Sequence, residues 1–217
     1  MELCDAWPPF GLRIEAGPLV LRPIDDEMLP RLIELALDGI HAPETMPFAT
    51  PWTDAPADEL PANYVQYVWG VRANWKREKW NLEFAVENAG ELVGVQAFFS
   101  SDYRVTRTGE TGSWLGSGFQ GRGIGTAMRQ ALCAFLFDHL DFEFITSVSF
   151  EDNPGSLRVS EKLGYRDNGI AWSSPRGTRA TSRRLLLLPE DFVRGEPITV
   201  EGAEPLRRFI GLEQAPD

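Results

Sequence analysis

"QGRGIGTAM", residues Gln120–Met128, is a glycine-rich turn that leads directly into an amphipathic helix. Gly121, Gly123 and Gly125 alternate with other residues, and apolar side chains then recur at helical spacing. Glycine permits positive φ angles and the close approach of a ligand to the backbone. A helix N-terminus adds unpaired N–H groups and the positive end of its dipole, which attract anions. The stretch therefore predicts a phosphate-binding loop, and its surroundings indicate which phosphate it holds.

Two common nucleotide-binding loops fit these surroundings poorly. A Walker loop needs a lysine after its second glycine, and Ile124 stands there instead. The dinucleotide pattern G-x-G-x-x-G is matched by Gly116, Gly118 and Gly121. However, the acid about 20 residues further on, Asp141, stands at the beginning of the next predicted strand and not at its end. A glycine-rich turn with a purely structural purpose stays open as an alternative.

Composition excludes several classes of protein. The chain of 217 residues carries a formal net charge of −11, which argues against general nucleic-acid binding. With only two histidines and no zinc or EF-hand spacing, we expect no metal site. No apolar run approaches the length of a membrane span, and the acidic N-terminus lacks the pattern of a signal peptide. Cys4 and Cys133 are far apart, so we expect free thiols and a cytoplasmic protein without membrane contact.

The order of predicted elements indicates an α/β fold with a mixed, largely antiparallel sheet. Alternating apolar residues on both sides of Glu87–Gly90 predict a hairpin. A strand–helix–strand–helix segment follows in the second half, ending in a helix with Asn153 as N-cap and Gly164 just past its end. We find no internal repeat, and predict one domain over residues 1–193 with a C-terminal extension, 194–217, as an edge strand or dimer contact.

Two motifs resemble the GNAT acyltransferase superfamily. Gln120-x-x-Gly-x-Gly125 resembles its motif A, and Asn153-x-x-Ser156 followed by Glu161–Tyr165 resembles its motif B in the RimJ/RimL-like (ribosomal-protein N-acetyltransferase-like) branch. The motifs lie some 30 residues apart in the expected order, with a predicted strand between them. The resemblance covers about residues 19–190. It implies a central sheet in which two parallel strands splay apart in a V, and the transfer of an acyl group from acyl-coenzyme A to a primary amine.

The resemblance also implies the donor site. The backbone of the glycine loop would hold the pyrophosphate, and the preceding strand and the motif B asparagine would bind the pantetheine arm. The implied set is Trp114, Leu115, Gly116, Gln120, Gly121, Arg122, Gly123, Ile124, Gly125, Thr126, Asn153 and Ser156. A backbone N–H at or near Leu115 would polarise the thioester carbonyl.

The chemistry requires one group to accept a proton from the amine and another to protonate the leaving thiolate. Glu110 is our first choice as base because it lies on the strand leading to the slot, with Glu83 and Asp102 as alternatives. Many relatives have a tyrosine seven residues after the motif B asparagine, where this chain has Ser160. Ser156 resembles the serine found near the coenzyme A sulfur in this branch, so the resemblance implies Ser156 as the proton donor. Each of these residues is also compatible with a structural role, as a surface acid or a hydroxyl in the first turn of a helix.

The resemblance implies that the proline-rich loop after His41 lines the acceptor side, with Met46, Phe48 and Trp52 in its wall. A packed loop with a structural role stays open as an equal alternative. The stretches "MPF…PWT", "GSWLG" and "GYRDNG" resemble a subgroup described as possible succinyltransferases, so the donor is acetyl- or succinyl-coenzyme A. A succinyl carboxylate would need a partner such as His41 or Arg104. The acceptor is an amine on a small molecule or on a protein, and a homodimer is plausible from the family. A non-catalytic acyl-coenzyme A sensor and a nucleotide-dependent oxidoreductase are the alternatives.

Overall fold

The computed structural model describes residues 1–212, and within this range nine strands form one mixed sheet. They are β1 (Arg13–Ala16), β2 (Leu19–Pro23), β3 (Lys79–Asn88), β4 (Glu91–Ser101), β5 (Thr108–Leu115), β6 (Phe144–Phe150), β7 (Arg166–Ser173), β8 (Ala180–Leu187) and β9 (Ile198–Glu201). Their order across the sheet is β7-β8-β6-β5-β4-β3-β2-β1-β9. Strands β5 and β6 run parallel, and the other neighbouring pairs run antiparallel. The predicted α/β architecture is confirmed.

Helices cover both faces of the sheet. They are α1 (Leu3–Ala6), α2 (Leu29–Leu37), α3 (Leu60–Ala73), α4 (Tyr103–Thr106), α5 (Ile124–Leu140), α6 (Pro154–Leu163) and α7 (Ala203–Ile210). Helix α5 packs with α6 and α7 on one face, which we call the α5 face, and α2 with α3 covers the other, the α2/α3 face. None of the helices in residues 1–212 is both long and apolar enough to cross a membrane.

The main core lies between α5 and the sheet. Ten of the seventeen residues of α5 are buried, because the sheet, α6 and α7 together enclose most of the helix surface. A smaller core on the other face joins α2 and α3 to β3 and β4 through Leu32, Tyr64, Val68 and Val95. Burying apolar area in this way is the main stabilisation of the fold, at about 25 cal/mol per Å².

Several element boundaries differ from the sequence patterns. Helix α2 begins at Leu29 and not among the acids before it, because the carboxylate of Asp25 accepts the N–H of Met28 at 3.0 Å and holds a turn there. Strand β7 is not predicted from the sequence. It is an edge strand with mostly exposed side chains, so it lacks the alternation that signals a half-buried strand.

The C-terminal segment continues the same sheet. Strand β9 pairs antiparallel with β1 at the sheet edge, and Leu206 and Ile210 of α7 are fully buried in the main core. The last part of the predicted extension, residues 213–217, lies outside the described residues.

Candidate active site

A gap opens between the parallel strands β5 and β6 before either strand ends. The last register pair joins Thr111 to Ser147, whereas β5 continues to Leu115 and β6 to Phe150. Beyond that pair β5 is held by β4, and β6 is held by β8. The two strands therefore diverge as the V-shaped splay predicted from the sequence, and backbone groups along both edges are left without a strand partner.

The backbone of β5 directs hydrogen-bond donors into this gap. The N–H of Gly116 donates to the carbonyl of Val93 on β4 at 3.0 Å. Because the residues of an antiparallel ladder face their partner alternately, the N–H groups of Leu115 and Ser113 face away from β4 and toward the gap. The predicted donor at Leu115 thus lies where a carbonyl in the gap could accept its hydrogen bond.

The glycine loop after β5 presents further free N–H groups. Gly121 and Gly123 adopt φ values of 72° and 84°, and a Cβ added at either position would meet no atom within 4 Å. Among the described residues, no acceptor is found for the N–H groups of residues 121–125. Thr126 is the first residue whose N–H is bonded, to the carbonyl of Gly123 at 3.1 Å. Arg122, an exposed residue of this loop whose guanidinium lies over the ring of Phe119, adds a positive charge, so the loop can bind an anion.

Gln120 holds the glycine loop in place. Its side-chain amide donates to the carbonyl of Ile40 at 2.6 Å and to that of Leu115 at 2.9 Å. The N–H of Ser117 also bonds to Gly39 at 2.9 Å. These bonds tie the loop both to β5 and to the segment after α2. Gln120 therefore anchors the glycine loop, and its side-chain nitrogen already donates to two protein carbonyls.

Helix α6 begins at the end of β6, on the other side of the gap. The side-chain oxygen of Asn153 accepts the N–H of Ser156 at 3.1 Å, which confirms the predicted N-cap. The half-buried hydroxyl of Ser156 has no partner among the described residues. Ser160, one turn further, is buried, and its oxygen accepts a hydrogen bond from Arg129 at 3.1 Å. Ser156 thus has a free hydroxyl near the gap, whereas Ser160 is engaged in the interior.

Two carboxylates lie on the α2/α3 face of the sheet near the gap. Glu110 is paired with Thr146, next to the last β5–β6 pair. It also lines a shallow depression of about 510 Å³ that extends toward the start of β5, away from the gap. Desolvation raises the pKa of Glu110, and the charge of Arg184 opposes the shift. Glu83 lies on β3, separated from the gap by β4. Burial raises its pKa to about 7, although Tyr67 donates a hydrogen bond that opposes this shift.

An aromatic chain connects the proline-rich loop to the gap. His41 contacts Phe48, Phe48 contacts Trp52, and Trp52 contacts Trp114 of β5, with ring centroids 5.8, 5.4 and 5.9 Å apart. Met46 is buried within this loop. The imidazole of His41 is engaged by the hydroxyl of Thr53 and by a backbone carbonyl, at 2.7 and 2.9 Å.

A bidentate ion pair joins the proline-rich loop to the connection between β7 and β8. Arg176, between β7 and β8, binds both carboxylate oxygens of Asp54 and the carbonyl of Pro43, at 2.6 to 2.9 Å. The proline-rich loop and the β7–β8 connection are thereby joined into one wall beside the gap.

Comparison with protein-family models agrees with this geometry. A model described as the acetyltransferase (GNAT) domain matches residues 18–166, more than half of the chain.

The chain belongs to the GNAT acetyltransferase family.

Among curated proteins, this GNAT chain is 28% identical over 116 residues to "Putative ribosomal N-acetyltransferase YdaF" of Bacillus subtilis (strain 168). The match covers 52% of the chain and 63% of that relative, which is less than two thirds of its length. This relative supports the RimJ/RimL-like branch that the motifs predict.

Solved structures share the GNAT fold at low sequence identity. Mycobacterium smegmatis RimJ, in complex with a coenzyme A disulfide, is 20% identical with a TM-score of 0.68, and the match covers 92% of each chain. RimL, a ribosomal L7/L12 α-N-protein acetyltransferase in complex with coenzyme A, is 20% identical with a TM-score of 0.66, over 80% of this chain and 95% of its own. At this level of identity the likeness shows the fold alone.

The GNAT fold brings most of the predicted residues to one end of the sheet, around the gap. Two residues that were considered lie elsewhere. Asp102 follows β4, and Arg104 lies in α4. Both residues come shortly before the first residue of β5, whereas the gap opens near its last residues. Arg104 is instead close to Gly211 after α7. Topology therefore argues against Asp102 as the base and against Arg104 as a partner for an acyl group.

Sequence reasoning missed three residues that shape the site: Arg129, Tyr67 and Arg176. Arg129 could have been noticed, because it is a cation in a helical stretch, residues 127–137, whose other members are apolar apart from Gln130. The partners of Tyr67 and Arg176 are 16 and 122 residues away in sequence, so no local pattern could identify them.

Proposed function

We propose that the protein transfers an acyl group, acetyl in the first instance, from acyl-coenzyme A to a primary amine by direct attack in a ternary complex. The observation that carries the proposal is the divergence of β5 and β6 beyond Thr111 and Ser147 beside a loop with unbonded N–H groups. The gap suits an extended thioester arm, and the loop suits its pyrophosphate. The coenzyme A bound in the RimJ and RimL structures supports the same donor.

The residues of the loop fit a diphosphate. The positive φ values of Gly121 and Gly123 point successive N–H groups outward, and the open space above both glycines leaves room for phosphate oxygens. Arg122 adds a positive charge, and Ile124, Gly125 and Thr126 form the first turn of α5. In this proposal Trp114, Leu115 and Gly116 bind the pantetheine arm along β5, Asn153 borders it from α6, and Gln120 keeps the loop in position.

The proposed chemistry needs no covalent intermediate on the protein. The N–H of Leu115 stabilises the oxygen of the thioester carbonyl as negative charge develops there. Glu110 accepts the proton of the attacking amine, because it adjoins the gap, whereas β4 separates Glu83 from it. Ser156 protonates the leaving thiolate through its free hydroxyl and is itself reprotonated from solvent. The amine and the thiol thus exchange protons with groups on opposite faces of the sheet.

The acceptor enters, in our proposal, along the wall formed by His41, Met46 and Phe48. The relatives named as ribosomal-protein acetyltransferases favour the amino group of a protein, and a spermidine N-acetyltransferase chimera with a TM-score of 0.61 keeps small amines in consideration. Succinyl-coenzyme A is the second donor to be tested. We further propose that the protein acts in the cytoplasm and forms a homodimer. Sedimentation of the purified chain tests the homodimer.

Calorimetric titration with coenzyme A tests the proposed donor. Gly123→Val should reduce the affinity at least tenfold, because a side chain there would occupy the space proposed for the phosphates. Gly90→Val is a matched control: Gly90, in the β3–β4 turn, has the same φ of 84° and no atom within 4 Å of an added Cβ. Backbone strain is therefore alike in the two variants. The proposal fails if the wild type binds neither coenzyme A nor its acyl forms.

A non-catalytic sensor is the second candidate, favoured by the buried and engaged position of Ser160. Thiol release from acetyl- and succinyl-coenzyme A, measured against a panel of amines and N-terminal peptides, separates the two candidates. An enzyme releases thiol in proportion to acceptor, whereas a sensor binds the donor without acceptor-dependent release.

A further inference from the structure

Arg129 of α5 is a buried cation without a carboxylate partner. Its side chain is almost wholly buried, with 4% of the residue exposed. One Nη donates to Ser160 at 3.1 Å, the other donates to Ser113 at 3.0 Å, and Nε has no acceptor. Among residues 1–212, no acidic side chain forms an ion pair with it. Two neutral hydroxyls are therefore its direct partners.

Such an arrangement is costly unless a negative charge arrives. Buried cations in proteins are normally paired, because an isolated charge loses its hydration without compensation. The neighbouring Cys133 and Tyr165 do not supply an anion at neutral pH, since burial raises the pKa of the thiol to about 12 and raises that of the phenol as well. The positive charge of Arg129 is thus uncompensated in the free protein.

The two serines locate this charge beside the gap. Ser113 lies on β5 beyond the last β5–β6 pair, and Ser160 lies one turn after Ser156 on α6. Arg129 therefore spans the gap between its two walls on the α5 face. The carboxylates of Glu110 and Glu83 lie on the opposite face. The slot through the sheet is consequently polarised, with acids on one side and a guanidinium on the other.

We propose that Arg129 is a positioning residue that stabilises the thiolate leaving group, an inference that rests on the acyl transfer proposed above. In that reaction the amine nitrogen forms a bond to the carbonyl carbon, and the carbon–sulfur bond breaks with its electron pair remaining on sulfur. The amine proton goes to Glu110. The thiolate takes its proton through the hydroxyl of Ser156, which is reprotonated from solvent as Glu110 returns its proton to solvent. The charge of Arg129, acting across the hydroxyls of Ser113 and Ser160, offsets the charge on sulfur before that proton arrives.

The geometry favours a thiolate over the distal carboxylate of a succinyl group. A carboxylate binds arginine best through two parallel N–H···O bonds from adjacent nitrogens. Each Nη of Arg129 already donates one N–H to a serine, and Nε is buried without an acceptor, so a carboxylate would have to enter that buried position to reach the remaining N–H groups. A field acting on sulfur needs no direct contact, and sulfur is common to all acyl-coenzyme A donors.

The thiol pKa of bound coenzyme A tests the proposal, followed by the ultraviolet absorbance of the thiolate with the protein alone as blank. In the wild type we expect this pKa to lie about 1 to 2 units below that of free coenzyme A. Arg129→Met should restore the ordinary value, and Arg129→Lys, which keeps the charge, should retain part of the shift. Arg31→Met, which removes an exposed guanidinium of α2, should leave the shift unchanged.

Each outcome is decisive. A wild type that binds coenzyme A with an ordinary thiol pKa overturns the proposal even if the Arg129 variants fail to fold. A wild type that binds no coenzyme A overturns the proposed function together with it. In turnover, Arg129→Met should lower kcat by a similar factor with acetyl- and succinyl-coenzyme A. A loss confined to the succinyl donor would identify Arg129 as a carboxylate ligand and refute its role at the sulfur.

Discussion

At the scale of single residues, the two faces of the gap carry opposite chemistry. Burial raises the pKa of Glu83 to about 7 and desolvation raises that of Glu110, so both carboxyl groups bind protons more readily than in water. Ser156 and Arg129 lie on the other face. A reaction that moves a proton from an amine and releases an anion uses both properties. Position decides between the acids, because Glu110 lies on β5 itself.

Glu110→Gln should lower kcat by about 10²-fold or more, the usual contribution of a general base. Activity of the wild type should rise with pH as the base loses its proton, and this limb should disappear in the variant. Glu83→Gln should keep kcat within a few-fold of the wild type. Pre-steady-state and steady-state thiol release between pH 5 and 9 checks both. If the two variants show the reverse pattern, Glu83 is the base.

Glu83→Gln should instead change the pH dependence of stability. The pKa of Glu83 is raised from 4.5 to about 7 on folding, so the folded state holds a proton that the unfolded state has lost between these values. The wild type therefore loses stability as pH rises from 4.5 to 7, by about 1 to 3 kcal/mol. The variant should not lose this stability. Urea unfolding at pH 4.5 and 7.5 measures the change in the free energy of unfolding for both proteins. Glu34→Gln, at an exposed position, is the control for removing one charge. Parallel curves for wild type and Glu83→Gln would contradict the prediction.

At the scale of elements, two helices begin at the two ends of the diverging strands. Helix α5 begins at Ile124 after Gly123, an N-cap residue that has no side chain to cap the helix, which leaves its first N–H groups free for a ligand. Helix α6 begins at Pro154 after Asn153, whose side chain caps the first turn. The two helix N-termini therefore differ in their hydrogen bonding. The first N–H groups of α5 are unbonded, whereas the cap of α6 bonds the N–H of Ser156 and holds this residue in place.

Asn153→Ala should destabilise the protein by about 1 kcal/mol through loss of the cap. For a chain of this length the melting temperature should fall by about 2 to 4 °C. Asn153→Asp keeps an oxygen acceptor at the cap and should stay close to the wild type. Calorimetric melting of the three proteins compares them. An alanine variant as stable as the wild type would show that the cap contributes nothing to stability.

At the scale of the whole molecule, the sheet reaches from the N-terminal strands to the C-terminal segment. Strand β9 pairs with β1, and α7 places Leu206 in the main core. Gly202, between these elements, has a φ of 77° and lies against the backbone of Gly11, where an added Cβ would be 2.2 Å from the carbonyl oxygen. The C-terminal segment is thus packed against the N-terminal turn as well as against the sheet.

Leu206→Ala should cost about 2 to 5 kcal/mol, as expected for a fully buried leucine. Leu37→Ala, at an exposed position of α2, should cost less than about 0.5 kcal/mol. Urea unfolding of both variants measures the difference. Equal, small effects would mean that the segment after residue 193 is a loosely attached extension and not part of the cooperative core.

The sequence alone determined the features that depend on local chemistry. The glycine loop, the capped helix at Asn153 and the β3–β4 hairpin are each specified by residues adjacent in the chain, since φ preferences and side-chain capping act over one to four residues. Tertiary structure alone decided which distant groups meet. The pairing of Glu110 with Thr146, the burial of Arg129 between Ser113 and Ser160 and the ion pair of Arg176 with Asp54 join residues far apart in the chain. Burial and charge depend on the whole packed fold, so no local pattern could reveal the polarity of the gap.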